Sequence, residues 1–225
     1  MSNKVYLEVD WGAGKLYQWL KTEEEDSVKH VSSTGKVSYR RYFNNVVGKL
    51  NNFSIGKNSF KRDELRWSMY NENDNTTYYL STPLENQEKY LTKVVVSVIR
   101  QMHSLDKGKV YRCLYYKIEK EDSRNIVGFS FAAPEGDCDP YADNAKFTTV
   151  HKLPIEDQPK WEKVKKGRNE VWDRSEYEVY YDNIMNKEVE RLKYDESDSN
   201  QSSKASEQEA VTAEAVEEEY NDLPF

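Results

Sequence analysis

The sequence predicts a mainly β domain of five strands, with one helix between the third and fourth, followed by an acidic tail. Three observations carry this expectation. Short segments alternate apolar and polar residues between turn signals, one stretch in the middle has a helical apolar stripe, and composition changes sharply after Tyr194. The 225 residues include 33 basic and 40 acidic side chains, a net charge of −7. From Asp195 to Phe225 ten acids stand against one base, Lys204, so the tail carries −9 and residues 1–194 carry +2. The acidity of the chain therefore belongs to its tail, and such asymmetry marks an interaction arm. Residues 195–225 hold few aliphatics and no aromatic before Tyr220. They cannot bury enough apolar surface to offset the entropy of ordering them, so this segment is expected to be disordered.

The body, residues 1–194, is long enough for one domain with extensions. No apolar run approaches the roughly 20 residues needed to cross a bilayer. Met1-Ser2-Asn3-Lys4 leads into no signal-like stretch, and Cys113 and Cys138 are too few for a disulfide scaffold. A cytoplasmic protein without a membrane partner is expected.

Residues 5–20 suggest two short strands joined at Gly12-Ala13-Gly14, an N-terminal hairpin. Residues 21–35 are polar and predicted as loop. A strand region follows from Val37 to Ile55, with Gly48 marking a bulge or bend. In Leu65–Tyr70, Leu65, Trp67 and Met69 face one way and Arg66, Ser68 and Tyr70 the other. Asn71–Asn75 turns the chain into a returning strand, Thr76–Thr82. Leu91, Val94, Val95, Val98, Ile99 and Met102 then form a buried helical stripe after Asn86-Gln87-Glu88. Two strands follow. Val110–Glu119 sets Tyr111, Cys113, Tyr115 and Lys117 against Val110, Leu114, Tyr116 and Ile118, and Ile126–Ala132 aligns Val127, Phe129 and Phe131. Strand, strand, strand, helix, strand, strand with a long bent first strand is the layout of an OB-fold barrel, placed here at about 35–132. Pro134–Pro159 is irregular. A C-terminal helix is expected over Glu176–Tyr194, with Val179, Tyr180, Ile184, Val189 and Leu192 on its apolar side.

Seventeen tyrosines, 5 tryptophans and 7 phenylalanines raise the question of which aromatics are exposed. Between Val31 and Tyr70, eight bases (Lys36, Arg40, Arg41, Lys49, Lys57, Lys61, Arg62 and Arg66) stand against Asp63 and Glu64, a surplus of +6. Tyr39, Tyr42, Phe43, Phe53, Phe60, Trp67 and Tyr70 are interleaved with them. Single-stranded nucleic acid needs this combination, because cations neutralise phosphates while ring faces stack with unpaired bases. The candidate binding residues are Arg40, Arg41, Tyr42, Lys49, Lys57, Lys61, Arg62, Arg66, Tyr70, Tyr79, Tyr111, Tyr115 and Lys117. Trp67 and Phe129 are assigned to the core. A second basic run, Lys160–Arg168, extends the path or is simply a solvated face.

Other chemistry has weaker support. Gly12-Ala13-Gly14-Lys15 lacks the first glycine and final hydroxyl residue of a phosphate loop. Asp137, Asp139 and Asp143 have part of a calcium-loop spacing, but Ala142 stands where glycine belongs. His103, Cys113, Cys138 and His151 include no pair with short ligand spacing, so no metal or cofactor is expected. No nucleophile–base–orienter set is visible, which argues against an enzyme.

The chain ends Glu217-Glu218-Glu219-Tyr220-Asn221-Asp222-Leu223-Pro224-Phe225, an acidic run closing on an aromatic residue. An OB-like body with this tail resembles the single-stranded DNA-binding proteins of bacteria and their phages. The tip acids, Pro224 and Phe225 match, and Leu223 stands where an aliphatic residue is common. The longer, tyrosine-rich body and added elements fit a phage-encoded version, which would act in the host cytoplasm. The resemblance implies a non-catalytic protein that coats single-stranded DNA during replication, recombination and repair. Its tip (Glu217, Glu218, Glu219, Asp222, Leu223, Pro224 and Phe225) would recruit a polymerase, helicase, primase or nuclease. Two alternatives stay open: an RNA-binding OB protein, and a protein–protein adaptor that binds no nucleic acid.

Overall fold

A computed structural model describes residues 2–32, 34–87, 89–119, 126–136, 138–166 and 169–193. The predicted disordered tail and its tip lie outside the described residues. The described chain falls into two units, residues 2–18 with 42–193, and residues 19–41.

Strand β5 (Val46–Lys57) organises the larger unit. Its first residues pair antiparallel with β8 (Val110–Ile118), from Val46↔Cys113 to Lys49↔Val110. From Lys49 onward it pairs antiparallel with β6 (Asp63–Asn71), with a register slip between Leu50 and Asn52. The irregularity thus falls at Leu50–Asn52, just beyond Gly48, where a bulge or bend is expected; at Gly48 itself the backbone of β6 comes close. A Cβ there would lie 2.8 Å from the Tyr70 carbonyl oxygen, so only glycine lets the two backbones approach. Strand β6 continues antiparallel into β7 (Thr76–Pro83), and β8 into β9 (Ile126–Pro134). The far edge of β7 pairs in parallel with β1 (Asn3–Asp10), which turns at Gly14 (φ 67°) into β2 (Lys15–Leu20). A short strand, β10 (Phe147–Thr149), pairs with the end of β9. The resulting order, β10-β9-β8-β5-β6-β7-β1-β2, is mainly β, exceeds five strands and does not close.

Before β10 takes over, the edge of β9 at Phe129–Phe131 is met by a helix instead of a strand. Helix α1 (Lys93–Met102) starts at Thr92, whose Oγ1 accepts from the Val95 amide (3.1 Å) and donates to the Pro83 carbonyl (3.0 Å). It buries Val94, Val95, Val98, Ile99 and Met102, as the stripe predicts. Its polar side chains meet the sheet edge. The Phe129 amide donates to Ser97 Oγ (2.8 Å) and the Phe131 amide to Gln101 Oε1 (2.8 Å). Gln101 Nε2 donates to the Phe129 carbonyl (2.9 Å). Gln101 is fully buried, so these bonds supply what a neighbouring strand would. Beneath them Trp67 packs edge-on against Phe129 (centroids 4.8 Å apart) and stacks on Phe53 (5.8 Å), confirming both as core.

Helix α2 (Ser175–Leu192) braces α1. Arg191 donates to the carbonyls of Met102 (2.7 Å) and Leu105 (2.8 Å), a cation at the C-terminal end of α1. Its buried positions are Tyr181, Met185, Glu188 and Leu192, with Tyr180, Ile184 and Val189 partly covered. Val179, predicted on the apolar side, is exposed. Two further strands, β11 (Glu162–Lys166) and β12 (Asn169–Asp173), pair with each other and, among the described residues, with no other strand.

In the smaller unit β3 (Ser27–Val31) pairs antiparallel with β4 (Val37–Phe43), from Ser27↔Arg41 to Val31↔Val37. The loop predicted over residues 21–35 thus contains a strand, Ser27–Val31. The exposed Val28, Val31 and Val37 leave this ladder without the one-sided apolar pattern that marks a strand. Residues 37–55 are two strands, and Asn86–Leu91 forms a turn and bridge ahead of α1.

Candidate nucleic-acid interface

Strand alternation sets Leu65, Trp67 and Met69 into the core, so Arg66, Ser68 and Tyr70 lie on the outer face of β6. The register brings Tyr79 beside Ser68 and Tyr6 beside Tyr79. The Tyr6 and Tyr79 rings stack at 4.9 Å between centroids and 17° between planes, and Tyr6 is 64% exposed. Arg66 pairs with Ser81, two residues along the strand from this row, a rise of about 7 Å. Its guanidinium lies across Gly56, donates to the Lys57 carbonyl, and meets Glu64 at 3.4 Å while remaining 41% exposed. Tyr70 donates to Asn75 Oδ1 (3.0 Å). The turn after β5 adds Phe60 (42% exposed), followed by the exposed Lys61 and Arg62. Asn58 Oδ1 fixes that turn by accepting from the amides of Phe60 and Arg62 (both 3.0 Å).

Tyr6, Tyr79, Arg66 and Tyr70 thus share one sheet face, with Lys61 and Arg62 at the adjoining turn. The remaining candidates are placed otherwise. Tyr111 and Tyr115 are buried, 4% and 3% exposed, because the core face of β8 is the one carrying Cys113. Tyr111 accepts from the Asp106 amide (2.9 Å), and Tyr115 packs on Phe129 and Trp11. Lys117 donates to the Gly12 carbonyl (3.0 Å) and pairs with Glu119, tying the β1–β2 turn to β8. Tyr42 donates to Asp10 (2.8 Å), Lys49 pairs with Glu72, and Lys57 with Asp63. In the smaller unit Arg40 is 8% exposed, its guanidinium 4.4 Å above the Trp19 ring. Arg41 is held by Glu24 and Asp26, and the Asp26 hydrogen bond raises its pKa. Two bases of the +6 surplus, Arg41 and Lys49, are therefore answered by Glu24, Asp26 and Glu72, all outside residues 31–70.

Tyr6 was missed. The signal was present: Leu7 is core and Val5 and Val9 pack on it, so alternation alone points Tyr6 outward.

His103 and His151 approach at 3.4 Å between ring nitrogens, but Cys113 lies in the core and Cys138 at the surface. Among the described residues no group of three His, Cys, Asp or Glu side chains is arranged to hold a metal. Asp137 lies outside the described residues, and Asp139 caps a local turn through the Tyr141 amide (3.0 Å). A cavity of about 340 Å³ opens between Asn45, Asn71, Arg112 and Tyr141, and Arg112 stacks on Phe147 there (4.5 Å). Among the described residues no helix is long and apolar enough to cross a membrane.

Burial pushes the Cys113 thiol pKa far up, while Cys138 is exposed. A thiol reagent at pH 8 should therefore label one cysteine of the native protein and both in denaturant. Rapid labelling of two native thiols would contradict the placement of Cys113. No protein-family model, curated protein or solved structure matches the chain.

Proposed function

We propose that this protein binds single-stranded DNA without sequence preference across the outer face of β1, β7, β6 and β5. Residues 195–225 then form an acidic arm that docks replication or recombination enzymes through Asp222-Leu223-Pro224-Phe225. The observation that carries the reading is the near-parallel stack of exposed Tyr6 on half-buried Tyr79, beside Arg66. Two rings stacked at the surface offer a flat apolar platform, and a base laid on it gains stacking whatever its identity. Arg66, Lys61 and Arg62 supply charge for the phosphates.

The pairing scheme supports an OB-like body in an opened form. Strands β5, β6 and β7 form a meander, a helix follows, and β8 returns to the first half of β5 before leading to β9. On that scheme β6 and β7 are the second and third barrel strands, and the Phe60–Arg62 turn is the first loop. These are parts with which OB-folds grip oligonucleotides. The seam that a closed barrel would zip is occupied by β1 on the β7 side and α1 on the β9 side.

Fluorescence anisotropy with oligo-dT and a matched duplex tests the reading. Single strands should bind more tightly, with affinity falling steeply as salt rises. A chain ending at Tyr194 should bind at least as well as the full chain, because the removed segment carries −9. Equal affinity for the duplex, or no binding at low salt, would sink the proposal. A matched RNA competitor separates DNA from RNA preference.

A further inference from the structure

We infer that the β11–β12 ribbon is a second single-strand contact, an arm on which Trp172 stacks against an unpaired base while Lys163 and Lys165 meet phosphates. The inference rests on the single-stranded DNA reading above. The register pairs Lys163 with Trp172 and Lys165 with Glu170, and alternation puts all four on one face of the ribbon. Val164 and Val171 take the other face. Trp172 is 51% exposed, with the Lys163 ammonium 5.3 Å from its ring centroid, so cation and aromatic surface are presented together. Glu162, Lys163, Lys165, Glu170, Val171 and Asp173 are exposed as well.

A two-stranded ribbon paired with nothing else is marginal in water, so its persistence here needs an anchor. The root of the ribbon supplies one. Arg174 lies between two rings, 3.9 Å from the Trp161 centroid and 4.3 Å from that of Tyr90, and Trp161 meets Tyr177 edge-on at 5.7 Å. The arm is thus fixed at its base while its tryptophan remains in solvent. Charge selects the occupant. Residues 160–174 contain six bases, Lys160, Lys163, Lys165, Lys166, Arg168 and Arg174, against Glu162, Glu170 and Asp173. The Lys163 ammonium also meets Glu170 at 3.7 Å, a solvent-exposed pair that a phosphate can displace. A polyanion with flat bases matches an exposed indole set among lysines, whereas an apolar protein surface offers Lys163 and Lys165 no anion.

The test compares the unaltered chain with Trp172→Ala, Trp172→Phe and Lys163→Glu/Lys165→Glu, on a short oligo-dT that fills one contact and on a long one. Trp172→Ala should weaken binding of the long oligonucleotide on the order of tenfold and the short one little, with the melting temperature unchanged. Trp172→Phe should restore most of the loss, and the charge reversal should flatten the salt dependence. If the unaltered chain binds long oligo-dT and these variants bind it equally well, the arm is not a contact although the main face stands. If Trp172→Ala instead changes only the sedimentation of the free protein, the ribbon is an interface between copies and the inference falls. If the unaltered chain binds no oligo-dT, both readings fall together.

Discussion

Gln101→Leu is expected to lower the unfolding free energy by about 2–4 kcal/mol, although leucine has nearly the volume of glutamine. The cost lies in what the side chain leaves behind. In the native domain Gln101 accepts from the Phe131 amide and donates to the Phe129 carbonyl, and the residue has no solvent exposure. Leucine removes both bonds and strands a buried donor and acceptor on β9, each costing about 1–3 kcal/mol. Urea titration would show a lower midpoint with an unchanged slope, the signature of lost stability without a change in exposed surface. Ser97→Ala provides a milder comparison, since it orphans the Phe129 amide alone. A Gln101→Leu protein as stable as the parent would mean that another group or a water satisfies the β9 edge.

The second large effect concerns binding. Tyr6→Ala/Tyr79→Ala should weaken oligo-dT binding by about 2–3 kcal/mol, the range for losing a stacking platform. Because the rings form one stack at 4.9 Å, the single substitutions should not add, and Tyr6→Ala alone should account for most of the loss. Tyr6 is 64% exposed, so the melting temperature should barely move, which separates a lost contact from a damaged fold. Anisotropy titrations of the three variants, paired with thermal melts, decide the matter. Unchanged affinity in the double variant would remove this face from the binding site.

Much of the architecture was legible in local patterns. The turn at Gly12-Ala13-Gly14, the alternation of β6 and the stripe of α1 each reflect a constraint confined to a few neighbouring residues. What escaped depends on partners distant in sequence. Strand β8 is amphipathic in neither sense, since both of its faces carry large side chains, so the inward direction of Tyr111 and Tyr115 follows only from where β5 and β9 lie. The basic surplus of residues 31–70 looked like an open patch because a window of sequence cannot show Glu24, Asp26 and Glu72 reaching into it. Closure of the barrel was expected from strand order, whereas one buried glutamine and one serine on α1 supply the edge contacts.

The parallel pairing of β1 with β7 has a kinetic meaning. The pairings β1–β2, β5–β6, β6–β7, β5–β8, β8–β9 and β9–β10 are antiparallel, whereas Tyr6 meets Tyr79 in parallel across all the chain between β1 and β7. Such a contact carries high contact order and a correspondingly large loop-closure entropy, so it forms late. A chain that has not docked its own first strand therefore lacks the Tyr6–Tyr79 stack. If this face binds as proposed, binding would report that β1 has docked on β7.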